Sequence, residues 1–310
     1  MKLTRRFAGA VALALPIALT LSACSAGDST VADETTSIVV LTPYLSSAAT
    51  KEAIDEFTAI GESLGWSINV VDTAGDMNKL NSAFQNAAAQ KPDAIVLGTG
   101  DPTQISLGLK SAAAADIPVF AMDAGQDDLI AANVTSDNTD LGEQSAQALI
   151  DLMGGTGSVV MLTHEPHPGV KARAAGARAT FESAGITVLE EKHVENPGAV
   201  DSARTSMQDI ISSRGSSVSG VWGGWDEPAL GATQALNAAG VSNVPVVGVD
   251  GQDFALAEID KAGPFKATIK QDWTAVAGKV VALIQDLIDN GTMPTQSQYE
   301  LPGTLVTGSK

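Results

Sequence analysis

Two aspartates, Asp123 and Asp250, each follow an apolar run that has the composition of a buried β-strand. The two runs, residues 117–122 and 244–249, both begin with an apolar residue and a proline. In open parallel sheets a ligand binds beyond the carboxyl ends of the strands, where a carboxylate forms charge-assisted hydrogen bonds with hydroxyl groups. Either aspartate alone could instead cap a following helix, but the duplication favours ligand binding. We therefore expect both carboxylates to point into one cleft and to bind a polyhydroxylated compound.

Aromatic side chains make up only 4% of the chain, so their positions are informative. Trp222 and Trp225 flank a Gly-Gly pair at a strand end, and Tyr44 follows the first strand. Trp222 is expected in the core, whereas Trp225 is expected to stack on the C–H face of a ligand. Asp101 and Asp226 each precede a proline as helix N-caps do; Asp101 is expected to be structural, and the role of Asp226 stays open.

The elements that would position these residues alternate along the chain. Short β-branched runs predict strands at residues 38–41, 68–71, 94–97, 119–122, 159–162, 187–189, 220–222 and 246–249. Longer amphipathic segments predict helices at residues 50–64, 79–89, 105–115, 142–153, 170–183, 200–213, 229–238 and 275–288. This alternation predicts parallel sheets with helices on both faces.

The chain also repeats itself in order. Four segments of the first half recur in the second, as the pairs 38–42 and 159–163, 62–66 and 182–186, 98–102 and 223–228, and 117–123 and 244–250. Internal repeats of this kind indicate duplicated structural units. The sequence therefore predicts two similar doubly wound α/β lobes.

Composition excludes several classes of function. The formal net charge of −18 argues against nucleic acid and anionic lipid as partners. Cys24 is the only cysteine, so no internal disulfide can form. The pair His164 and His167 could ligate a metal, but the prolines around them indicate a loop and no further ligand cluster is evident, so no metal site or cofactor is expected. Motifs of hydrolases, P-loop NTPases and zinc proteases are absent, and we expect no enzymatic activity.

The start of the chain has the pattern of an export signal. Basic residues precede an apolar run at residues 7–20, which is shorter than a membrane span needs. The segment 21–24 (LSAC) resembles the lipobox of bacterial lipoproteins, in which the cysteine is lipidated and begins the mature protein. An ordinary secretory signal or a membrane helix is the alternative. We expect a signal peptide at residues 1–23, a lipidated Cys24, a flexible tether at residues 24–36 and a mature protein anchored outside the cytoplasm.

From residue 37 to about residue 308 the chain resembles the periplasmic sugar-binding proteins of the ribose-binding type, which are the soluble receptors of ABC importers. The resemblance rests on residues 134–141 (VTSDNTDL), 172–176 (ARAAG), 225–232 (WDEPALGA), 247–251 (VGVDG) and 267–271 (ATIKQ). It implies a type I clamshell of two lobes joined by a multi-strand hinge. It also implies a sugar or polyol ligand, an ABC permease as partner, membrane contact only through the lipid anchor, and a monomer.

The resemblance also implies ligand contacts by position. They fall on Asp123, Lys171, Trp225, Asp250 and Gln271, and on the stretch after the first strand that contains Tyr44, Ser46 and Ser47. This chain departs from the ribose-type pattern at several of these places: Lys171 replaces an arginine, Trp225 an asparagine, and Ala124 another arginine. The departures make ribose itself doubtful and favour a different pentose, a hexose, a polyol or a related compound.

Three crossings between lobes are implied, with a first lobe of residues 37–137 and 272–299 and a second of residues 138–271 and 300–310. Closure of the lobes around a ligand would favour the closed state by differential affinity. Two alternatives share this clamshell. A sensory subunit would present the closed form to a membrane receptor, whereas a sugar-responsive repressor would need a DNA-binding helix pair where this chain has its export signal.

Overall fold

The computed structural model describes residues 35–308. The predicted signal peptide, the predicted lipidation site at Cys24 and nearly all of the predicted tether lie outside the described residues. Within residues 35–308, no helix combines the length and apolar character that crossing a membrane requires.

The described chain alternates strands and helices from its first element onward. Its strands are β1 (Ser37–Thr42), β2 (Ser67–Asp72), β3 (Ala94–Gly98), β4 (Val119–Met122), β5 (Ala132–Ser136), β6 (Ser158–Thr163), β7 (Thr187–His193), β8 (Gly220–Gly223), β9 (Val246–Asp250), β10 (Phe265–Lys270), β11 (Gln298–Leu301) and β12 (Thr304–Thr307). Its α-helices are α1 (Ala48–Ser63), α2 (Met77–Gln90), α3 (Ser106–Ala114), α4 (Asn138–Leu152), α5 (Pro168–Ser183), α6 (Ala199–Arg214), α7 (Asp226–Ala238), α8 (Asp253–Asp260) and α9 (Trp273–Asn290). Two short 3₁₀ turns lie at Pro102–Gln104 and Gly215–Ser217.

The strands form two sheets with the same topology. The first has the order β11-β5-β4-β3-β1-β2 and the second the order β12-β10-β9-β8-β6-β7. Pairing is parallel except between β10 and β12, which are antiparallel. The order in which strands are added to each sheet reverses between β1 and β3 in the first sheet and between β6 and β8 in the second. These positions are the topological switch points at which such folds bind ligands. The predicted duplication and the α/β class are confirmed.

Helices cover both faces of each sheet, because the strands are apolar on both sides. In the first lobe, Phe57 of α1 and Val280 of α9 pack on one face, and Phe84 of α2 packs on the other. In the second lobe, Met207 of α6 lies on one face and Phe181 of α5 on the other. Burying each such side chain contributes about 1.5–3 kcal/mol, so apolar packing holds the lobes without disulfides.

The chain passes between the sheets three times: from β5 to α4, from β10 to α9, and from β11 to β12. Strand β11 belongs to the first sheet as far as Leu301, slightly beyond the predicted end of the first lobe at residue 299. The lobe boundaries stay a proposal, in which the second stretch of the first lobe ends at Leu301 rather than at residue 299. We call the units built on the two sheets the first and second lobes.

Every strand and helix predicted from the sequence overlaps an observed one. Five further elements were not predicted: β5, α8, β10, β11 and β12. Strand β5 contains Asn133, Thr135 and Ser136, whose polarity hides the strand pattern although all three are buried. Strand β12 is a short and mostly exposed edge strand with a weak apolar signal.

Candidate functional site

A cleft lies where the carboxyl ends of the strands of the two sheets face one another. It contains about 360 Å³ of space free of protein atoms, part of it open to solvent. Its lining residues are Ser47, Ala49, Thr50, Thr99, Asp123, His164, His167, Val170, Arg173, Asn196, Trp225, Asp250 and Trp273.

Asp123 and Asp250 both lie in this cleft. Asp123 directly follows β4 and Asp250 ends β9, at equivalent positions of the two sheets. Both are almost fully buried, with exposed fractions of 2% and 3%. Both also have a positive φ, of 47° for Asp123 and 123° for Asp250. Such backbone conformations are costly for residues other than glycine and cluster at binding sites. The two carboxylates are thus brought together, as the sequence predicts.

Arg173 of α5 connects the two aspartates. Its Nη1 lies 3.2 Å from Oδ1 of Asp250 and its Nη2 lies 3.5 Å from Oδ2 of Asp123. Its Nε donates to Oδ1 of Asn138 at 2.6 Å and Nη1 also donates to the carbonyl of Gly224 at 3.1 Å. With an exposed fraction of 2%, this guanidinium is the positive charge that allows two carboxylates to be buried together.

Close packing of α4 against α5 holds Arg173 in place. A Cβ atom on Gly142 would lie 2.0 Å from the carbonyl oxygen of Arg173, and one on Gly176 would lie 2.4 Å from that of Thr139. Glycine at these two positions therefore lets the helix backbones approach until the Arg173 side chain reaches the cleft.

Each aspartate retains an oxygen for a ligand. Oδ1 of Asp123 accepts hydrogen bonds from Thr135 Oγ1 at 2.6 Å and Asn138 Nδ2 at 2.9 Å. Oδ1 of Asp250 accepts one from Gln271 Nε2 at 2.7 Å. Among residues 35–308, no donor lies in hydrogen-bond geometry with Oδ2 of either aspartate. Both Oδ2 atoms can therefore accept hydrogen bonds from hydroxyl groups.

The two carboxylates differ in acidity. Burial alone would raise the pKa of Asp123, but the charge of Arg173 and the hydrogen bonds to Oδ1 outweigh it, so the pKa is lowered. Burial raises the pKa of Asp250 to about 7, since Arg173 offsets only part of the desolvation. At neutral pH the first lobe thus presents an ionised carboxylate and the second lobe one that is close to its midpoint.

His164 and His167 form one wall of the cleft, and Tyr44 lies behind them. Nδ1 of His164 lies 2.8 Å from the carbonyl of Val194, so this nitrogen carries the proton and Nε2 accepts from the Tyr44 hydroxyl at 3.2 Å. His167 caps α5 by accepting from Val170 N, and its Nε2 lies 3.8 Å from Oδ2 of Asp123. Burial lowers the pKa of His167 to about 4, which keeps the ring neutral at physiological pH.

Two tryptophans in the cleft have unpartnered N–H groups. Trp225 and Trp273 are nearly buried, at 4% and 2% exposed, and Nε1 of each makes no hydrogen bond of good geometry within residues 35–308. The indole N–H of Trp225 lies close enough to the Glu227 carboxylate to lower the pKa of that group. By contrast, Nε1 of the core residue Trp222 donates to Ser145 Oγ at 2.8 Å. Buried indole N–H groups usually have a partner, so both are available to a ligand oxygen. Stacking of Trp225 on a ligand stays a prediction.

The other sequence-predicted residues occupy different places. Ser47 lines the cleft, and Tyr44 lies behind His164. Gln271 lies behind Asp250, with its Oε1 buried and unpartnered. Ser46 is exposed and does not line the cleft.

Lys171 also lies outside the cleft, contrary to the sequence prediction. Its side chain is 66% exposed and its Nζ lies 3.8 Å from Oε2 of Glu165. Residues that are two positions apart on an α-helix point in directions about 200° apart around the helix axis. Because Arg173 faces the cleft, Lys171 faces away from it. Arg173 therefore supplies the positive charge that the resemblance assigned to Lys171.

The two candidate N-caps differ from each other. Asp101 is the N-cap residue of the turn Pro102–Gln104 and accepts from Thr103 N at 2.9 Å, which confirms its structural role. Asp226 is the first residue of α7 and does not cap it. Its carboxylate instead accepts from Gln252 N at 2.8 Å and Thr268 Oγ1 at 2.7 Å, tying α7 to β10 and to the loop after β9.

Sequence reasoning missed Arg173 and the two threonines Thr50 and Thr99, which all line the cleft. Arg173 stands in the segment ARAAG. The small residues around it indicate close helix packing, and a charged residue at such a position is a signal that could have identified it. Thr99 follows β3 with a φ of 58° and accepts from Thr50 Oγ1 at 3.2 Å; nothing in its sequence neighbourhood indicates this. In residues 35–308, no three His, Cys, Asp or Glu side chains are arranged to hold a metal ion.

The sequence model of the periplasmic binding protein domain matches residues 38–292. The chain belongs to the periplasmic binding protein family. This assignment confirms the expected fold class and the prediction that the chain is a binding protein and not an enzyme. Membership also implies a location outside the cytoplasm.

Curated relatives resemble this periplasmic binding protein over most of its length. The xylitol-binding protein of Mycolicibacterium smegmatis is 28% identical over 306 residues, covering 95% of this chain and 84% of that protein. The ribose import binding protein RbsB of Bacillus subtilis is 29% identical over 235 residues, covering 73% of each chain. A solved ABC transporter solute-binding protein from Agrobacterium vitis, with bound allitol, is 28% identical and superposes with a TM-score of 0.81, covering 88% of this chain and 95% of that one.

Proposed function

We propose that this periplasmic binding protein captures a neutral sugar or polyol between its two lobes and delivers it to the permease of an ABC importer. The observation that carries the proposal is the pair of aspartates at equivalent strand ends, each with one carboxylate oxygen, Oδ2, that accepts no hydrogen bond from residues 35–308. A ligand with several hydroxyl groups can donate to both Oδ2 atoms at once, and each such charge-assisted hydrogen bond is strong.

Further cleft residues complement a hydroxylated ligand. The indole N–H groups of Trp225 and Trp273 would donate to ligand oxygens, and Ser47, Thr50 and Thr99 would offer hydroxyl groups. A hydroxyl both donates and accepts, so a polyol or sugar matches this mixture of donors and acceptors. Arg173 is already shared between two carboxylates, which leaves little positive charge for an anionic ligand.

The named relatives support the same class of ligand. The three similar proteins are a xylitol-binding protein, a ribose import binding protein and a solute-binding protein with bound allitol. This favours delivery to a permease over the sensory alternative. We further propose that the mature protein begins at a lipidated Cys24 and is held at the outer side of the cell membrane, as its leader sequence indicates.

A thermal-shift screen of the protein without its leader tests the proposed ligand class. The panel contains xylitol, ribitol, allitol, D-ribose, D-xylose and D-fructose, with D-gluconate as an anionic control. A ligand at 100 times its Kd stabilises the folded state by about 2.7 kcal/mol. A shift with a neutral member and none with gluconate is expected. If gluconate shifts the melting temperature more than every neutral compound, the proposed ligand class is wrong.

A further inference from the structure

The N-terminus of α1, in the first lobe, lacks a cap from its own lobe. Ser47 is the N-cap residue, but its side chain makes no capping hydrogen bond, and the first turn of α1 has no acidic residue. The first N–H groups of a helix have no intrahelical acceptor, and the helix dipole places partial positive charge there. An acceptor from elsewhere would therefore stabilise this end of α1.

Glu227 of the second lobe supplies that acceptor. It is the second residue of α7, and its Oε1 accepts from the backbone N–H of Ala48 at 2.8 Å. Its Oε2 accepts from Ser47 Oγ at 3.3 Å. Burial raises the pKa of Glu227, and the hydrogen bonds from Ala48 and Ser47, together with the nearby indole N–H of Trp225, counter part of that rise. The hydrogen bonds from Ala48 and Ser47 thus take the place of water molecules around the carboxylate.

We propose that Glu227 is a positioning residue that caps α1 across the cleft in the closed form only. The cap holds Ser47 in the cleft wall, on the same helix as Thr50, and it adds to the stability of the closed state. When the lobes separate, the Ala48 N–H and the Glu227 carboxylate must both return to water. Affinity for a ligand then depends on a residue that does not line the cleft.

Other contacts across the cleft provide a matched control. Gln252 Nε2, in the second lobe, donates to Oε2 of Glu52 at 2.8 Å. Glu52 is an exposed residue of α1, the helix that begins directly after Ser47. Its contact also joins the lobes through a carboxylate but does not cap a helix. Comparing Glu227 with Glu52 separates the effect of the cap from that of any polar contact between lobes.

The experiment compares wild type with Glu227→Ala, Glu227→Gln and Glu52→Ala. Losing a cap typically reduces stability by an amount equivalent to a 2- to 30-fold change in an equilibrium constant. We expect Glu227→Ala to raise the Kd for xylitol by that factor, with D-ribose and allitol as alternative probes. Glu227→Gln should lie between it and wild type, because the amide oxygen can still accept from Ala48. Glu52→Ala should bind within about twofold of wild type.

Hydrogen exchange of the Ala48 amide distinguishes the proposed cap from a general effect of Glu227 on stability, because only the cap protects this amide when ligand binds. Ligand saturation should slow this exchange in wild type far more than in Glu227→Ala, while urea unfolding of the ligand-free proteins stays similar. Equal Kd values together with equal Ala48 protection would overturn the proposal.

The test also separates this inference from the proposed function, on which its affinity readout rests. If wild type binds no probe, the proposed ligand class fails, and the cap is tested with the lobes closed by the osmolyte TMAO, which favours compact states. Equal Ala48 exchange of wild type and Glu227→Ala in TMAO would then overturn the proposal, and slower exchange in wild type would support it. Should Glu227→Ala fail to fold, the comparison is made with Glu227→Gln.

Discussion

Replacing Asp250 by Asn removes one ligand acceptor while keeping the structural one. The amide oxygen can take the place of Oδ1, which accepts from Gln271 Nε2 at 2.7 Å and lies 3.2 Å from Arg173 Nη1. The amide nitrogen then replaces Oδ2 and cannot accept from a hydroxyl. Hydrogen bonds to charged groups contribute about 1.5–3 kcal/mol, so Asp250→Asn should raise the Kd by about 10- to 150-fold. Alanine is less suitable because it would leave Arg173 short of a buried partner.

The same substitution should change how stability depends on pH. Burial raises the pKa of Asp250 to about 7 from 3.8, with Arg173 opposing the rise and the charges of Glu227 and Asp123 adding to it. Between about pH 4 and 7 the folded state therefore holds a proton that the unfolded state has released. The free energy of unfolding must fall as pH rises through this window, by about 4 kcal/mol for a shift of three pKa units. Asp250→Asn cannot titrate and should lack this decrease.

Urea unfolding at pH 4.5, 6 and 8 measures the stability, and calorimetric titration at pH 7 with the best ligand of the panel measures the affinity. Asp253→Asn is the matched control, because Asp253 is exposed and lies three residues further along the chain. If both variants bind like wild type, Asp250 does not contact the ligand. If wild type and Asp250→Asn lose stability in parallel as pH rises, the argument from burial is wrong.

Four further outcomes are expected. Cys24→Ser should release the protein from the membrane with binding intact; a variant that stays bound after salt and carbonate washing would contradict lipidation. Trp273→Phe and Trp225→Phe keep an apolar ring but lose the N–H, and each should raise the Kd by about 2- to 12-fold. Unchanged calorimetric Kd values would show that these N–H groups do not donate to the ligand. Asp101→Ala should lower the free energy of unfolding by about 1 kcal/mol without changing Kd; a loss of affinity instead would place it in the site. Ligand should make the protein more compact in solution scattering, and an unchanged profile at saturation would count against closure.

The sequence predicts the architecture well because strand and helix patterns here are strong. Apolar runs fully buried between helix layers, such as residues 94–97, are easily recognised in a sequence. Polar strands are not: β5 is completely buried yet contains Asn133, whose Nδ2 donates to the carbonyl of Ala124 and whose Oδ1 accepts from the amide of Ala124. Its burial is stabilised by side-chain hydrogen bonds that no local pattern shows.

The site is predicted less completely than the fold. Asp123 and Asp250 are recognisable because the repeat places both at strand ends. Arg173 and Lys171 are two residues apart on one helix, and only the packing of α5 against α4 decides which of them faces the cleft. The phase of a helix whose two faces both contain small residues cannot be read from periodicity.

The three passages of the chain between the sheets determine the order in which the protein can be completed during synthesis. The first lobe begins the chain, but the face of its sheet that carries Phe57 is covered by α9, which starts only at Trp273. A nascent chain that ends before α9 exposes that apolar face, and one that ends before Thr304 lacks the edge strand β12 of the second sheet. Neither lobe can therefore be completed until nearly the whole chain has been synthesised.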